Sequence, residues 1–300
     1  MGTTRELKSV VHQVPPPDGD GIVLDRSIGD FIAELKQLKP AQIDQVLAYQ
    51  RKQGIRFGEA AVALKLASHD DVMWALSKQF HYPYASGDGA RFNPELVAAV
   101  DPFNAQTEAF RGIRSQLMLG VMAADAPKRA LALVSPNVGD GKTFFAANLA
   151  IVFSQLGAKT LLVDADMRTP RQHQLFGIPN ERGLSSVLSG RAESNVVRPI
   201  ADLPSLFVMP VGAMPPNPLE LLQRPAFGLL LLELLSKFDH VIVDTPASTH
   251  GADCRVLAAK CGAAMVVTRR HVTQMKAVQS LVTEVARGSA QFAGVVVNEH

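Results

Sequence analysis

A glycine-rich segment, SPNVGDGKT at residues 135–143, carries the residues best suited to chemistry. Glycines let backbone N–H groups close around phosphate oxygens, and the start of a following helix adds partial positive charge. We expect Lys142 to bridge the β- and γ-phosphates of ATP, and Thr143 to place its hydroxyl on Mg²⁺. The predicted ATP-binding residues are Val138, Gly139, Asp140, Gly141, Lys142 and Thr143.

This segment departs from the usual GxxxxGK[ST] pattern at one position, because Pro136 stands where the first glycine belongs. Taken alone, a GxGK fragment could be an ordinary turn between a strand and a helix. The prediction of a phosphate site therefore needs support from elsewhere in the chain.

Three aspartates give that support, since each follows an apolar run that predicts a buried strand. Asp164 and Asp166 lie in LLVDADMR, and Asp244 ends the run HVIVD. The carboxyl ends of parallel strands meet at the ligand-binding edge of a sheet. We expect Asp244 to orient water ligands of the Mg²⁺ ion. Asp164 would accept the proton of an incoming hydroxyl, with Asp166 in support.

Other assignments of these carboxylates stay open. Asp164 and Asp166 could exchange roles, and any one of the three could instead cap a helix that follows its strand. The predicted catalytic residues are Lys142, Asp164, Asp166 and Asp244, and the predicted metal ligands are Thr143, Asp244 and Asp164.

The chain from Ala130 onward alternates short aliphatic runs with helical patterns. Continuous apolar strands that alternate with helices are typical of a parallel sheet covered on both faces. We therefore predict an α/β fold, a P-loop NTPase with a mostly parallel sheet. Its six predicted strands lie in LALVSP, TLLVDAD, LFVMPV, HVIVDTP, AAMVVTR and GVVVNEH.

The N-terminal part contains an internal repeat, because residues 27–50 and 56–79 align without gaps. Each copy shows two helical segments, and Pro40 or Ser68 starts the second segment. Upstream of the repeat, three consecutive prolines disfavour regular structure. We expect a disordered leader over 1–25, a small all-α domain over 26–84, a linker over 85–100 and the ATP domain over 101–300.

The composition disfavours several classes of partner. The chain has 30 Lys and Arg against 28 Asp and Glu, and a net charge of +2 does not favour nucleic acid. No apolar run is long enough to span a bilayer, and Cys254 and Cys261 lack the spacing of a zinc site. We expect a cytoplasmic protein with reduced thiols that reaches the inner membrane only through a partner.

Several strings together resemble the bacterial tyrosine kinases, in particular the kinase component of exopolysaccharide chain-length regulators. VSPNVGDGKT matches Walker A, LLVDADMRTP matches the second Walker A-like motif, and VIVDTP matches Walker B. GLSSVLSG at 183–190 and PPNPLELL at 215–222 also match. The resemblance implies phosphoryl transfer from ATP with Mg²⁺ to protein tyrosine, and a separate inner-membrane chain-length protein that docks and activates the kinase.

The segment EAFRGIR carries Glu108, Arg111 and Arg114, which fit the ExxRxxR motif of the same family. The resemblance implies that these residues form subunit contacts in a homo-oligomeric ring. The three positions share one face of a helix, so the arginines could meet acidic groups of a neighbour. A solvated helix face is the alternative.

The tyrosines of this sequence depart from the family pattern, which places a tyrosine cluster in a C-terminal tail. The sequence contains only Tyr49, Tyr82 and Tyr84, and none follows the last predicted strand. Either Tyr82 or Tyr84 is the acceptor, or the acceptor lies on another protein, or the ATP site acts as an assembly switch without tyrosine chemistry. All three tyrosines could also be packing aromatics.

A second class, the ParA and MinD ATPases, shares the predicted fold. It carries a signature lysine five residues before the P-loop lysine, and here that position is Asn137. Because an amide cannot supply the missing charge, this class is disfavoured.

The repeat resembles the N-terminal domain of type II secretion and pilus ATPases, whose tandem motifs can bind cyclic di-GMP. Gln50, Arg56 and Gln79 stand at matching positions and could meet guanine edges and phosphates. The copies depart from the motif at three positions: Ser27 replaces an arginine, and Lys36 and Lys65 replace glycines. A helical unit that docks a protein is therefore the favoured interpretation.

Overall fold

The computed structural model describes residues 26–79, 92–191 and 195–299. These residues fall into two compact units, a helical unit over 26–79 and a second unit over the other described residues. The predicted leader over 1–25 lies outside the described residues, as do Tyr82 and Tyr84. In the part of the chain that is described, no helix combines the length and apolar character needed to cross a membrane.

The helical unit has four helices, two for each copy of the repeat: α1 (Ile28–Lys36), α2 (Pro40–Gln53), α3 (Phe57–Ala63) and α4 (His69–Gln79). Capping boxes start α1 and α4, where Ser27 pairs with Asp30 and Ser68 pairs with Asp71. Its core consists of the buried side chains of Ile32, Val46, Ala60, Ala61, Ala67 and Ala75. The prediction of a small helical region before the ATP domain agrees with this arrangement.

The second unit is built on a seven-stranded sheet: β1 (Ala130–Val134), β2 (Thr160–Asp164), β3 (Arg198–Ile200), β4 (Leu203–Met209), β5 (His240–Asp244), β6 (Gly262–Arg269) and β7 (Gln291–Asn298). The strand order is β3-β4-β2-β5-β1-β6-β7, and every pair is parallel except β3 with β4. The prediction of a mostly parallel sheet is confirmed. β3 was not predicted, because three residues with a central Pro199 give no periodic pattern.

Helices cover both faces of this sheet: α5 (Val97–Val100), α6 (Ala105–Leu119), α7 (Lys142–Ser154), α8 (Gln172–Leu175), α9 (Leu184–Leu188), α10 (Pro218–Gln223), α11 (Pro225–Lys237), α12 (Asp253–Cys261) and α13 (Met275–Arg287). Alternate residues of β1 enter two different hydrophobic cores. Ala132 packs with side chains of α11, α12 and α13, whereas Leu131 and Leu133 pack with those of α6 and α7. Burial on both faces explains why the strands read as continuous apolar runs.

The predicted linker over 85–100 extends too far, because residues 92–100 belong to the second unit. Leu96 is fully buried, and α5 packs on α7. The Ala98 N–H donates to Asn148 Oδ1 at 2.9 Å, and Gln155 Nε2 donates to the Ala98 carbonyl at 2.9 Å. These long-range bonds come from buried polar side chains of α7 and its C-terminal end, which carry no local sequence signal.

The family-specific strings GLSSVLSG and PPNPLELL form α9 and α10, which pack on each other. The chain before α9 lies directly against the backbone after β4: the Leu184 N–H donates to the Pro210 carbonyl at 2.9 Å. A Cβ atom on Gly183 would lie 2.0 Å from that carbonyl oxygen, so only glycine fits there. Close backbone packing therefore requires the glycine that opens the first string.

Candidate nucleotide-binding site

The glycine-rich segment forms a loop between β1 and α7, as its position in the sequence predicts. Gly139 and Gly141 adopt φ angles of 84° and 93°, which glycine tolerates and other residues rarely adopt. A Cβ atom on Gly141 would also lie 2.0 Å from Nδ2 of Asn298, at the end of β7. The loop can therefore present its backbone N–H groups only with glycine at these positions.

Pro136, which breaks the simple motif, has a defined place in this loop. Its carbonyl accepts from Ser248 Oγ at 3.1 Å and from the Thr249 N–H at 3.2 Å. These donors belong to a 3₁₀ helix, Ser248–His250, that follows β5. The start of the loop is therefore held by the segment after the Walker B strand.

The loop residue Asp140 is fully buried and also holds the loop in shape. Its Oδ2 accepts from the Asn137 N–H at 2.8 Å, and its Oδ1 accepts from Thr273 Oγ1 at 2.7 Å. Thr273 lies between β6 and α13, and sequence analysis did not identify it. The backbone N–H of Asn137 starts a turn that the Asp140 side chain closes. In the ParA class this position is a lysine.

The three predicted aspartates are brought together beside this loop. Asp164 and Asp244 end neighbouring strands and lie directly opposite each other in the parallel register. Both are fully buried, and Asp166 is 4% exposed. Burial and the charge of Asp244 raise the pKa of Asp164 well above its ordinary value. Burial raises the pKa of Asp244 to about 6, although the positive charge of Lys142 opposes the rise.

Asp164 and Asp166 both organise the loop between β2 and α8. Asp164 accepts from the backbone N–H groups of Asp166, Arg171 and Gln172 at 3.0–3.1 Å. Asp166 accepts from the N–H groups of Arg168 and Thr169 and from the Thr169 hydroxyl. Asp164 therefore accepts from the N–H at the start of α8, as the capping alternative expects, whereas Asp166 closes a turn before that helix. The proton-transfer and metal roles of these two residues stay predictions.

Asp244 differs from the other two because one of its oxygens is not used by the protein. Oδ2 accepts from Gln172 Nε2 at 2.9 Å, whereas Oδ1 is buried and has no donor among the described residues. Lys142, Gln172 and Thr143 each lower the pKa of Asp244, so all three side chains lie within interaction distance of its carboxylate. Sequence analysis did not identify Gln172.

A cavity of about 680 Å³ lies over the loop, a volume typical of small-ligand sites. Its lining includes Val138, Gly139, Gly141, Lys142, Thr143, Asp166, Thr169, Arg269 and Asn298. Arg171 and Glu95 also line it and form an ion pair there. Of the two aspartates that could exchange roles, Asp166 lines the cavity and Asp164 does not.

The residues present fit a magnesium ion that is bound together with a nucleotide. Over the described ranges, no group of three or more His, Cys, Asp or Glu side chains could hold a metal alone. Magnesium usually keeps several waters and takes few protein ligands beside substrate phosphates. The Thr143 hydroxyl and the unused oxygen of Asp244 suit that manner of binding.

The predicted ring residues lie on α6, and two of them are held within the chain. Arg111 Nη1 pairs with Glu108 at 2.9 Å, and Arg111 Nη2 donates to the Pro102 carbonyl at 2.6 Å. Arg114 Nη1 donates to the Val152 carbonyl of α7 at 2.5 Å. Glu108 is the exposed member, with 71% of its side chain accessible. The ring contact stays a prediction.

The residues considered for cyclic di-GMP lie on separate elements of the helical unit. Gln50 lies in the last turn of α2, Arg56 precedes α3 and is exposed, and Gln79 ends α4. Of the two lysines that replace motif glycines, Lys65 has a φ of 57° in the left-handed region. Both the nucleotide site and the likeness to secretion ATPases stay predictions.

The parallel sheet, the glycine loop and the paired strand-end carboxylates define a P-loop NTPase. The family model described as "ParA: NUBPL iron-transfer P-loop NTPase" matches residues 126–300. The putative tyrosine-protein kinase CapB of Staphylococcus aureus is 31% identical over 201 residues, which are 66% of this chain and 86% of that protein. The kinase domain of Escherichia coli tyrosine kinase ETK superposes with a TM-score of 0.64 at 31% identity, covering 68% of this chain and 79% of that one.

Within the P-loop NTPase family of that model, the chain belongs to the bacterial tyrosine kinases. The tyrosine-protein kinase wzc of Salmonella typhimurium is 35% identical over 205 residues, which are 68% of this chain. The chain spans only 28% of the length of that relative. These relatives are tyrosine kinases by name and agree with the family predicted from the sequence, whereas the wider family model over residues 126–300 carries the ParA name.

Proposed function

We propose that this chain transfers the γ-phosphoryl group of Mg²⁺-bound ATP to a protein tyrosine in exopolysaccharide production. The observation that carries the proposal is the arrangement of Asp164 and Asp244 in register on adjacent strands, beside the loop that holds Lys142. Family membership gives the reaction class, and the cavity over this loop is large enough for a nucleotide.

In this proposal the loop amides and the Lys142 ammonium bind the β- and γ-phosphates. Thr143 and Asp244 would hold the Mg²⁺ ion, Asp244 through water. When bound, the ion neutralises charge on the phosphate oxygens. Removal of water from the cavity and fixed positive groups around the phosphates provide most of the catalytic effect in this reaction class.

The acceptor step requires one bond to form and one to break. The tyrosine oxygen bonds to the γ-phosphorus, the bond from that phosphorus to the β,γ-bridging oxygen breaks, and ADP leaves. The phenolic proton passes to a carboxylate. We assign that role to Asp166, because its side chain lines the cavity, and we assign Asp164 to holding the loop. This adopts the exchanged assignment that the sequence left open.

The proposal includes two kinds of partner. One is a separate inner-membrane chain-length protein that docks on the kinase and activates it. The other is further copies of this chain, which would form a ring through Glu108, Arg111 and Arg114. The acceptor tyrosine would lie on the membrane partner, or at Tyr82 or Tyr84.

Incubation with γ-labelled ATP and Mg²⁺, with and without the cytoplasmic segment of the partner, tests this function. We expect labelled phosphotyrosine, and a loss of about 10²-fold or more in Lys142→Met. The exposed Lys276→Met is the matched control and should retain activity. Release of free phosphate without phosphotyrosine would instead support the assembly switch. Undiminished labelling in Lys142→Met would refute the site.

A further inference from the structure

One buried residue, Gln172, contacts all three nucleotide motifs through its side chain and its backbone, and sequence analysis did not assign it a role. Gln172 Nε2 donates to the Thr143 carbonyl at 3.0 Å and to Asp244 Oδ2 at 2.9 Å. The Gln172 backbone N–H donates to Asp164 Oδ2 at 3.0 Å. The residue is fully buried at the first position of α8. It therefore contacts Walker A, the second Walker A-like motif and Walker B together.

The orientation of the Gln172 amide follows from its partners. Both groups that face Nε2 are oxygens that can only accept in this geometry, a carbonyl and a carboxylate. A flipped amide would place Oε1 against two acceptors and leave both without a donor. Nε2 must therefore face Thr143 and Asp244, which fixes the direction of Oε1.

Next to Thr143, which lines the cavity, two buried acceptors have no hydrogen-bond donor among the described residues. They are Gln172 Oε1 and Asp244 Oδ1. Buried polar atoms are nearly always paired, so an unpaired acceptor beside a ligand site calls for a water molecule or a donor that the ligand brings. Water molecules on a Mg²⁺ ion are strong donors of this kind.

We infer that Gln172 is a positioning residue for the water ligands of the nucleotide-bound Mg²⁺ ion, an inference that rests on the proposed function. Its Nε2 fixes the Asp244 carboxylate so that Oδ1 accepts from one of these waters. Residues that orient metal ligands in this way commonly affect metal affinity by about 10–100-fold.

A purely structural role for Gln172, in which it only joins three segments, leads to a different result. Loss of such a role would weaken nucleotide binding equally with and without Mg²⁺. Loss of a positioning role would reduce only the part of the affinity that depends on Mg²⁺. The ratio of the two ADP affinities therefore separates the two roles without any assay of activity.

The experiment is calorimetric titration of the full chain with ADP, once with Mg²⁺ and once with a chelator. We expect the gain in ADP affinity on adding Mg²⁺ to be about 10-fold smaller in Gln172→Met than in the wild type. The ADP affinity measured in the chelator should be unchanged. Gln155→Met is the matched control, because Gln155 is also buried and donates to a backbone carbonyl away from the site. It should keep the wild-type ratio.

A Gln172→Met variant that folds and keeps the full Mg²⁺-dependent gain would overturn the inference. So would an equal loss with and without Mg²⁺. If the variant does not fold, the ¹⁵N–¹H NMR signals of the Gln172 side-chain amide in the wild type test the inference instead. They should shift when Mg²⁺ is added to the ADP complex, and unchanged signals would overturn the inference. A wild type that binds no ADP would instead contradict the proposed function itself.

Discussion

The hydroxyl of Thr273 joins the phosphate-binding loop to the segment that follows β6. It accepts from the Arg269 N–H at 2.8 Å and donates to Asp140 Oδ1 at 2.7 Å. Asp140 in turn accepts from the Asn137 N–H, so contacts within the chain hold the loop in this shape. A preorganised loop loses less conformational freedom when it binds phosphate.

We expect Thr273→Val, which keeps the size of the side chain but removes its hydroxyl, to weaken ADP binding with Mg²⁺ by about 10-fold. A hydrogen bond to a charged group contributes about 1.5–3 kcal/mol, and here part of that is lost from the closed loop. Titration calorimetry measures the change, and Thr273→Ser should restore the affinity. Thr283→Val removes an exposed hydroxyl from α13 and serves as control. Unchanged affinity in Thr273→Val would mean that the loop does not depend on this contact.

Sequence analysis identified some residues of the site and missed others. The two groups differ in how far along the chain their contacts lie. Lys142 and Thr143 lie inside a local pattern whose spacing reflects the geometry of a loop and a helix. Thr273 meets Asp140 across 133 positions, and Gln172 meets Asp244 across 72. No local pattern specifies a contact over such distances, so only the folded chain shows it.

Elements of the second unit could be predicted from the sequence where apolar residues recur regularly along the chain. Five of the six predicted strands show continuous apolar runs because both of their faces are covered, whereas the edge strand β7 is apolar but only partly buried. The parallel order of the strands brings Asp164 opposite Asp244. The short antiparallel β3 and helix α5 have no such periodicity. Both depend on tertiary contacts, which explains why β3 was missed and why 92–100 was assigned to a linker.

The helical unit depends on capping at its helix starts, as α4 shows. Asp71 accepts from the backbone and hydroxyl of Ser68 and pairs with Lys36 at 2.9 Å. Partial burial would raise the pKa of Asp71, but these hydrogen bonds and the Lys36 charge outweigh it, and the pKa falls below its ordinary 3.8. The ionised carboxylate therefore stabilises the folded unit. That contribution is complete above the unfolded pKa and is lost as pH falls through the lower folded pKa.

We predict that Asp71→Asn destabilises the helical unit by about 1 kcal/mol at pH 7 and has a smaller effect at a pH below the ordinary pKa of 3.8. Urea unfolding followed by tryptophan fluorescence measures this change, because Trp74 is the only tryptophan and lies in α4. Asp70→Asn removes the same charge from the same turn without these bonds, and should cost only a few tenths of a kcal/mol. A loss of equal size at both pH values would contradict the proposed role of the charge.

At the scale of the whole molecule, the sequence predicted an all-α region before a P-loop unit, because a 3.6-residue period gives way to alternating strands and helices. The proposed ring would depend on surfaces beyond one chain. Part of the α6 motif already has a partner inside the chain, because Arg114 donates to the Val152 carbonyl. Glu108 pairs with Arg111 and still leaves 71% of its side chain exposed.

We expect the double variant Arg111→Ala/Arg114→Ala to be monomeric by light scattering while the wild type forms a ring. Its affinity for ADP with Mg²⁺ should stay within about 2-fold, because α6 contributes neither arginine to the cavity lining. Arg255→Ala, which removes an exposed surface arginine, is the control. A ring that persists in the double variant would rule out this interface.

The central claim is that one Mg²⁺-bound nucleotide binds between the glycine loop, Lys142 and the strand-end carboxylates. Titration calorimetry of the full chain with ADP and Mg²⁺ tests it most directly. The account predicts one site per chain in the wild type, and binding weakened by about 10²-fold or more in Lys142→Met. No heat from the wild type, or equal affinity in the two proteins, would contradict it.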